Sequence, residues 1–169
     1  MRIVRIICIA LVLGSLARAQ EYVLRELPPL PSLSGADPPY ARGLYRDKHD
    51  DFMAVAVGAG GNLQTFILKG PRWKPIGPDN RVVVGRDMND RGDIVGSSEQ
   101  ILPDGSRRTR PFVWSDGQFT ELDQGMESIS VATGVNNHRA IVGLYALADT
   151  LGYRGFLLRD GVWRDLGFA

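Results

Sequence analysis

Cysteine is almost missing from this 169-residue chain, and its one copy, Cys8, lies close to the N-terminus. An internal disulfide is therefore excluded. Histidine occurs only twice, as His49 and His138. Basic charge is not in excess: 20 Lys and Arg face 19 Asp and Glu, and no long face is uniformly basic. General nucleic-acid binding, which needs a clustered basic surface, is disfavoured. Beyond residue 20 no apolar run is long enough to cross a bilayer, which takes about 20 residues. Nor does any stretch there keep apolar residues at i, i+3, i+4 and i+7 over ten or more positions, so no long amphipathic helix is expected.

The N-terminus itself reads MRIVRIICIALVLGSLARAQ. Arg2 and Arg5 precede an apolar run from Ile6 to Leu13, which leads to the small-x-small signal Ala17-Arg18-Ala19. This is the layout of a secretory signal peptide cut near Ala19, and it predicts a secreted or periplasmic protein with no membrane span after cleavage. Cys8 leaves with the leader. So do Arg2, Arg5 and Arg18, leaving 17 basic and 19 acidic residues, a net charge of −2. Roughly 150 residues remain, enough for one self-sufficient core. The expected organisation is a leader at 1–19, an N-terminal strand and Pro-rich connector at 20–39, and a single β domain at 40–169.

What is present is short, β-branched and repetitive. FMAVAVG (52–58), RVVVGRD (81–87) and AIVGLYAL (140–147) are strand-length apolar runs broken by turn residues. Self-comparison then aligns MNDRGDIVG (88–96) with VNNHRAIVG (135–143): Asn89 falls on Asn136, Ile94 on Ile141, Val95 on Val142 and Gly96 on Gly143. Further on, PFVWSDGQFTEL (111–122) aligns with GFLLRDGVWRDL (155–166), matching Phe112 to Phe156, Asp116-Gly117 to Asp160-Gly161 and Leu122 to Leu166. The spacing shifts by three residues in the loop between, where SSEQILPDGSRRTR is longer than its counterpart. A worn copy precedes both, in which TFILKGPRWKPI (65–76) keeps Phe66 and Trp73. The closing element recurs once more in LREL (24–27), beside FTEL (119–122) and WRDL (163–166).

Each unit reads as four short antiparallel strands. An apolar strand enters an Asx-rich turn and returns as xIVG. A variable loop leads to the Phe-bearing strand, and Asp-Gly turns it into the closing strand, because Gly supplies the positive φ of a tight hairpin. The fold class is thus all-β: three repeats of about four antiparallel strands, at about 40–77, 81–123 and 130–167. About 45 residues per unit is the size of a propeller blade.

These residues resemble a known family. GVNNHRAIVG…GFLLRDGVWRDLG and DMNDRGDIVG…PFVWSDGQFTEL are similar to the bacterial extracellular HAF repeat, an Asn-containing turn, xVG, a His-Ala-Phe-like strand, a Gly turn and an Asp-Leu-Gly ending. The resemblance implies a secreted, β-propeller-like protein and transfers no catalytic residue. The chain departs from the pattern at Arg110-Pro111 and Arg154-Gly155, where the family has His-Ala. It also departs at the turn glycine, kept as Gly92 but replaced by Arg139 and His49. If those positions keep φ > 0, a side chain there costs on the order of 1 kcal/mol, so the outer turns are expected to be reshaped. Three blades are few for a closed ring, since propellers use about four to eight. An open stack capped by YVLREL (22–27), a barrel-like closure, or association of two chains would each resolve this, and open strand edges make an oligomer reasonable.

Few residues offer chemistry. Asp87, Asn89 and Gly92 have the offsets of half a calcium loop, but Arg91 and Ser98 stand where ligands belong, so no metal or cofactor is expected. Arg91-Gly92-Asp93 spells an adhesion tripeptide, a match of little information. His49 and His138 occupy equivalent turns without a nucleophile beside them, so no catalytic residue is assigned. Arg107, Arg108 and Arg110, on the long loop 104–110, form the one basic cluster and are the candidate binding residues, against the plainer reading of a solvated hairpin tip. The repeated Trp73, Trp114, Trp163, Phe66, Phe112, Phe119 and Phe156 are read as core, since every blade packs with the same large residues. The favoured reading is a non-catalytic binding or surface-interaction module, with a surface glycan or cell-surface protein as partner. The alternative is a secreted hydrolase or lyase with a cleft site shared by several blades.

Overall fold

The computed structural model describes residues 26–30, 41–46, 49, 51–57, 63–78, 80–122, 129–146 and 152–168. The leader, most of the Pro-rich connector and part of the expected strand 22–27 lie outside these residues. No helix among the described residues is long and apolar enough to cross a membrane.

The described chain is all-β. Twelve strands follow in order: β1 (Ala41–Arg46), β2 (Phe52–Val57), β3 (Leu63–Lys69), β4 (Arg72–Pro75), β5 (Val82–Met88), β6 (Ile94–Ile101), β7 (Arg107–Ser115), β8 (Gln118–Glu121), β9 (Ser130–Val135), β10 (Ile141–Ala146), β11 (Tyr153–Arg159) and β12 (Val162–Phe168). Each repeat makes one four-stranded antiparallel meander, β1–β4, β5–β8 and β9–β12, and none of the three sheets closes into a barrel. The hairpins follow the sequence signals. Asp116-Gly117 and Asp160-Gly161 join β7 to β8 and β11 to β12 with positive φ at both residues of each pair, the requirement of a primed two-residue turn.

The glycine of each Ile-Val-Gly strand has a packing reason. A Cβ on Gly96 would stand 1.9 Å from the Val84 carbonyl oxygen, and one on Gly143 would stand 2.2 Å from that of Val131. Both glycines sit beside an irregularity in the pairing, between Gly85 and Asp87 in one sheet and between Val142 and Gly143 in the other. There the neighbouring main chain bulges toward the glycine, leaving no room for a side chain.

Strand register gives every sheet the same two faces. The cross-strand pairs Met53–Ile67, Val95–Val113 and Val142–Leu157 occupy equivalent positions. We call the face they share the aliphatic face; Ile76, Leu122 and Leu166 complete it by sequence position. The opposite, aromatic face carries Phe66, Leu68 and Trp73 in the first sheet. Its counterparts are Phe112, Trp114 and Phe119 in the second sheet, and Phe156, Leu158 and Trp163 in the third. The sheets stack aliphatic face on aromatic face: Met53, Ile67 and Ile76 pack with Ile94, Phe112, Trp114 and Phe119. One step along, Val95, Val113 and Leu122 pack with Ile141, Phe156, Leu158 and Trp163. All three Phe of this set are buried, Phe66 at 1%, Phe112 at 0% and Phe156 at 1% exposure. The repeated aromatics are therefore core, as their spacing implied. Thr65 adds a polar stitch between the first two sheets, its hydroxyl donating to the Val83 carbonyl and accepting from Gly85 N–H, both at 2.7 Å.

Residues 26–30 form no strand. Leu27 and Leu30 pack instead on the aromatic face of the first sheet, with Ala54, Ala56, Phe66, Leu68 and Trp73. Trp73 fixes them by donating its indole N–H to the Pro28 carbonyl at 2.7 Å. Leu27, which aligns with Leu122 and Leu166, thus does for the first sheet what Ile76 and Leu122 do for the next two.

Candidate functional site

The densest polar constellation lies where the second and third sheets meet, built from the two Asn turns. In each turn the Asn side chain organises the backbone. Asn89 Oδ1 accepts from Arg91 N–H at 2.9 Å and Asp93 N–H at 3.0 Å. Asn136 Oδ1 accepts from His138 and Ala140 N–H, each at 2.9 Å. The main-chain bonds match too: Gly92 N–H to Asn89 O and Arg139 N–H to Asn136 O, both 3.0 Å. Asx side chains stabilise turns in this way because a short carboxamide mimics a backbone acceptor.

The two turns then lock onto one another. Asn89 Nδ2 donates to the Asn136 carbonyl, Asp90 N–H to Asn137 Oδ1 and Val135 N–H to Asp87 Oδ2, at 2.9, 2.9 and 2.8 Å. Asn137 Nδ2 returns a bond to Asp90 at 2.8 Å.

The expectation that the outer turns are reshaped is overturned for the third repeat. Arg139 holds φ at +59°, close to the +77° of Gly92, with the same hydrogen bonds around it. Its side chain supplies the compensation. The guanidinium reaches back to the second sheet, to Asp93 at 3.1 and 3.2 Å, Ser115 Oγ at 2.9 Å and Asp116 at 3.2 Å. The bonds to the buried Asp93 carboxylate are charge-assisted and favour the left-handed backbone at Arg139 that would otherwise be unfavourable. For the first repeat the strand register corrects the alignment: Asp50, outside the described residues, takes the place of Gly92 and Arg139, while His49 matches His138 and is an exposed turn residue.

Asp93 sits at the centre of this network with its side chain 2% exposed. Burial by itself raises the pKa of its carboxyl. Hydrogen bonds from Ser115, Asn89 and Arg139, with the charge of Arg139, outweigh burial and hold it below the usual carboxylate range. The same pairing raises the pKa of the Arg139 guanidinium, first through its hydrogen bond to Asp93 and then through that carboxylate's charge.

This geometry redistributes the residues singled out in the sequence. Asp87 and Asn89, the calcium-like pair, have their oxygens on backbone N–H groups: Asp87 on Met88 and Val135, Asn89 on its own turn. Among the described residues no group of three or more His, Cys, Asp or Glu is placed to hold a metal ion. Asp93, last residue of the adhesion-like tripeptide, is buried. His138 is exposed in the third turn.

The three arginines lie in β7 rather than at a loop tip, which is confined to 102–106. Arg107 is exposed and pairs with Glu99 at 2.8 Å, Arg108 is half-buried, and Arg110 is buried. The structure does not bring them together on one exposed surface. The tip is organised by Asp104, whose carboxylate accepts from the Ser106 hydroxyl and N–H; those bonds hold its pKa below the ordinary value.

A second feature escaped the sequence reading. The aliphatic face of the third sheet is open: Val142 is 41% exposed and Leu166 59%, whereas their counterparts Val95 and Ile76 are 0% and 1%. Tyr153 and Val162 add to it at 52% and 57%. Contiguous apolar exposure of this kind marks interaction surfaces. In the repeat alignment Val142 and Leu166 match the buried Val95 and the partly buried Leu122.

No protein-family model matches the chain, and no curated protein matches it.

Proposed function

We propose that the mature chain is a secreted, non-catalytic protein-binding module of HAF-repeat type, and that the aliphatic face of the third sheet is its docking surface. One observation carries the reading. The residue set that twice packs against a neighbouring sheet occurs a third time with no described sheet upon it, Val142 and Leu166 exposed and Leu157 half-buried. An aliphatic sheet face gains most from another apolar protein surface, at about 25 cal/mol per Å² of apolar area removed from water. The leader at 1–19 and the repeat pattern support export. The polar groups with catalytic potential support a non-catalytic role: Asp93, Asp87 and Asn89 are saturated by hydrogen bonds within the inter-sheet network, and both histidines are exposed turn residues.

The test is photo-crosslinking in the producing cell. A Leu166→p-benzoylphenylalanine chain should give protein adducts on irradiation, and an Arg86→p-benzoylphenylalanine control, exposed on the second sheet, should not. Equal adduct yields at the two positions would overturn the proposal.

A further inference from the structure

Twice among the described residues an aliphatic face is covered by the aromatic face of the next sheet. Two faces break the series. Among the described residues the aliphatic face of the third sheet has no sheet upon it. The aromatic face of the first sheet, Phe66, Leu68 and Trp73, is covered not by a sheet but by Leu27 and Leu30. These two faces are the complementary halves of one more inter-sheet contact, of the kind the chain already makes twice.

We infer that the occupant of the third sheet's aliphatic face is the first sheet of a second copy of this chain. The contact is head-to-tail and made twice, with residues 26–30 displaced, so that two copies close a ring of six sheets. The inference rests on the docking surface proposed above and names its partner.

Charge decides between this arrangement and two third sheets meeting face to face. By register, Arg159 and Arg164 lie on the aliphatic face with Leu157 and Leu166. Face-to-face pairing would set these cations against their own copies. Head-to-tail pairing keeps the two copies of these cations in separate contacts, with Arg159 over Leu68, the counterpart of the Trp114 ring that Lys69 faces at 5.4 Å within the chain. At the rim of the contact, the first-sheet turn that carries His49 would approach Asp160 of the third sheet, as the turn of Arg139 approaches Asp116 within the chain; the side chain of Asp160 is 82% exposed. Asn136 points the same way. It keeps the turn geometry of Asn89, but its Nδ2 donates to no described residue, whereas Asn89 Nδ2 bonds the next sheet. A heterologous contact repeated about a two-fold axis is closed, and six sheets fall within the usual range of about four to eight for propellers.

Leu27 and Leu30 act here as an intramolecular placeholder, so pairing competes with a local contact and depends on concentration. Sedimentation of the mature chain should show mass doubling as concentration rises. Leu27→Ser with Leu30→Ser, which weakens the placeholder, should tighten pairing by about tenfold, because a larger fraction of chains is then competent to pair. Leu157→Asp should return the chain to a monomer.

Orientation is read separately, by cross-linking with a short bismaleimide in a Cys8→Ser background. Chains carrying His49→Cys and chains carrying Asp160→Cys should cross-link only when mixed. Three outcomes overturn the inference: a monomer at every concentration, cross-linking of Asp160→Cys chains with each other alone, or open-ended polymers. If the chain stays monomeric while the Leu166 photo-adduct contains a different protein, the binding-module reading stands and the second copy is eliminated as partner.

Discussion

Asn89 donates through Nδ2 to the main-chain carbonyl of Asn136, its own counterpart one repeat later, at 2.9 Å. The contact makes the repeat physically visible: two equivalent turns, each folded around its Asn, are stacked so that one side chain serves both. The asymmetry between them carries a consequence for stability.

Asn89→Ala removes two bonds that shape its turn and two that leave it, toward Asp93 and Asn136. Asn136→Ala removes only the two within its turn, at an exposed position. With about 1 kcal/mol per net hydrogen bond and more for buried partners left unpaired, Asn89→Ala should cost about 3 kcal/mol and Asn136→Ala about 1 kcal/mol. Urea denaturation of both variants checks the ranking; equal losses would mean that the inter-sheet bond contributes nothing.

Arg139 combines an unfavourable backbone with favourable side-chain contacts, and substitution separates the two. Arg139→Ala loses the contacts and keeps the strained φ of +59°. Arg139→Gly loses the contacts and relieves the strain, so it should be more stable than Arg139→Ala by about 1 kcal/mol. Both should be less stable than the parent. In an Asp93→Ala background the main partner is gone, and Arg139→Gly should become neutral or stabilising. A double-mutant cycle by thermal unfolding reads the coupling between the two residues.

Much of this fold was legible in the sequence because the cues are local and repeated. Asp-Gly at 116–117 and 160–161 names its own turn, and the alternation around Phe112 and Trp114 fixes which residues face inward. The positive φ at Arg139 was not legible, because its cause lies in Asp93, 46 residues earlier and on another sheet. The burial of Arg110 was hidden for a related reason. A basic run at 107–110 looks like one cluster in one dimension, but the strand sets Arg107 on one face and Arg108 and Arg110 on the other, with Arg110 next to the buried Pro111 and Phe112. The third sheet's open face stayed unread since nothing in a repeat records whether a neighbour covers it.

Asp93 makes stability depend on acid. Its folded-state pKa lies below the ordinary aspartate value, about 3.9 for an unfolded chain. Its contribution is therefore complete above that value and is lost as pH falls through the lower folded-state pKa. The stability gap between the parent and Asp93→Asn should stay level from about pH 7 to pH 5 and narrow below about pH 4. Chemical denaturation at a series of pH values measures the gap, and narrowing toward alkaline pH instead would contradict the assignment.

The glycines separate steric from conformational demand. A Cβ at Gly117 meets nothing within 4 Å, so Gly117→Ala pays only for its φ of +83°, about 1 kcal/mol. Gly96 has no such backbone requirement, yet a Cβ there would lie 1.9 Å from the Val84 carbonyl oxygen, 2.8 Å from its carbon and 2.9 Å from Gly85 Cα. All three are main-chain atoms of the adjoining strand, so relief requires β5 and β6 to part at the bulge that packs against the first sheet. Gly96→Ala should therefore cost about 3 kcal/mol or more, as overpacking against rigid neighbours does. Gly143→Ala meets the Val131 carbonyl oxygen at 2.2 Å, but its other close neighbours are the Phe156 ring edge at 2.5 Å. A ring edge can shift where main-chain atoms of a paired strand cannot, so part of the strain can be relieved by movement of that side chain. The expected order of destabilisation is Gly96→Ala, then Gly143→Ala, then Gly117→Ala. Thermal melts of the three single variants test it, and a Gly96→Ala chain as stable as Gly117→Ala would show that the close approach at Val84 is absent in solution.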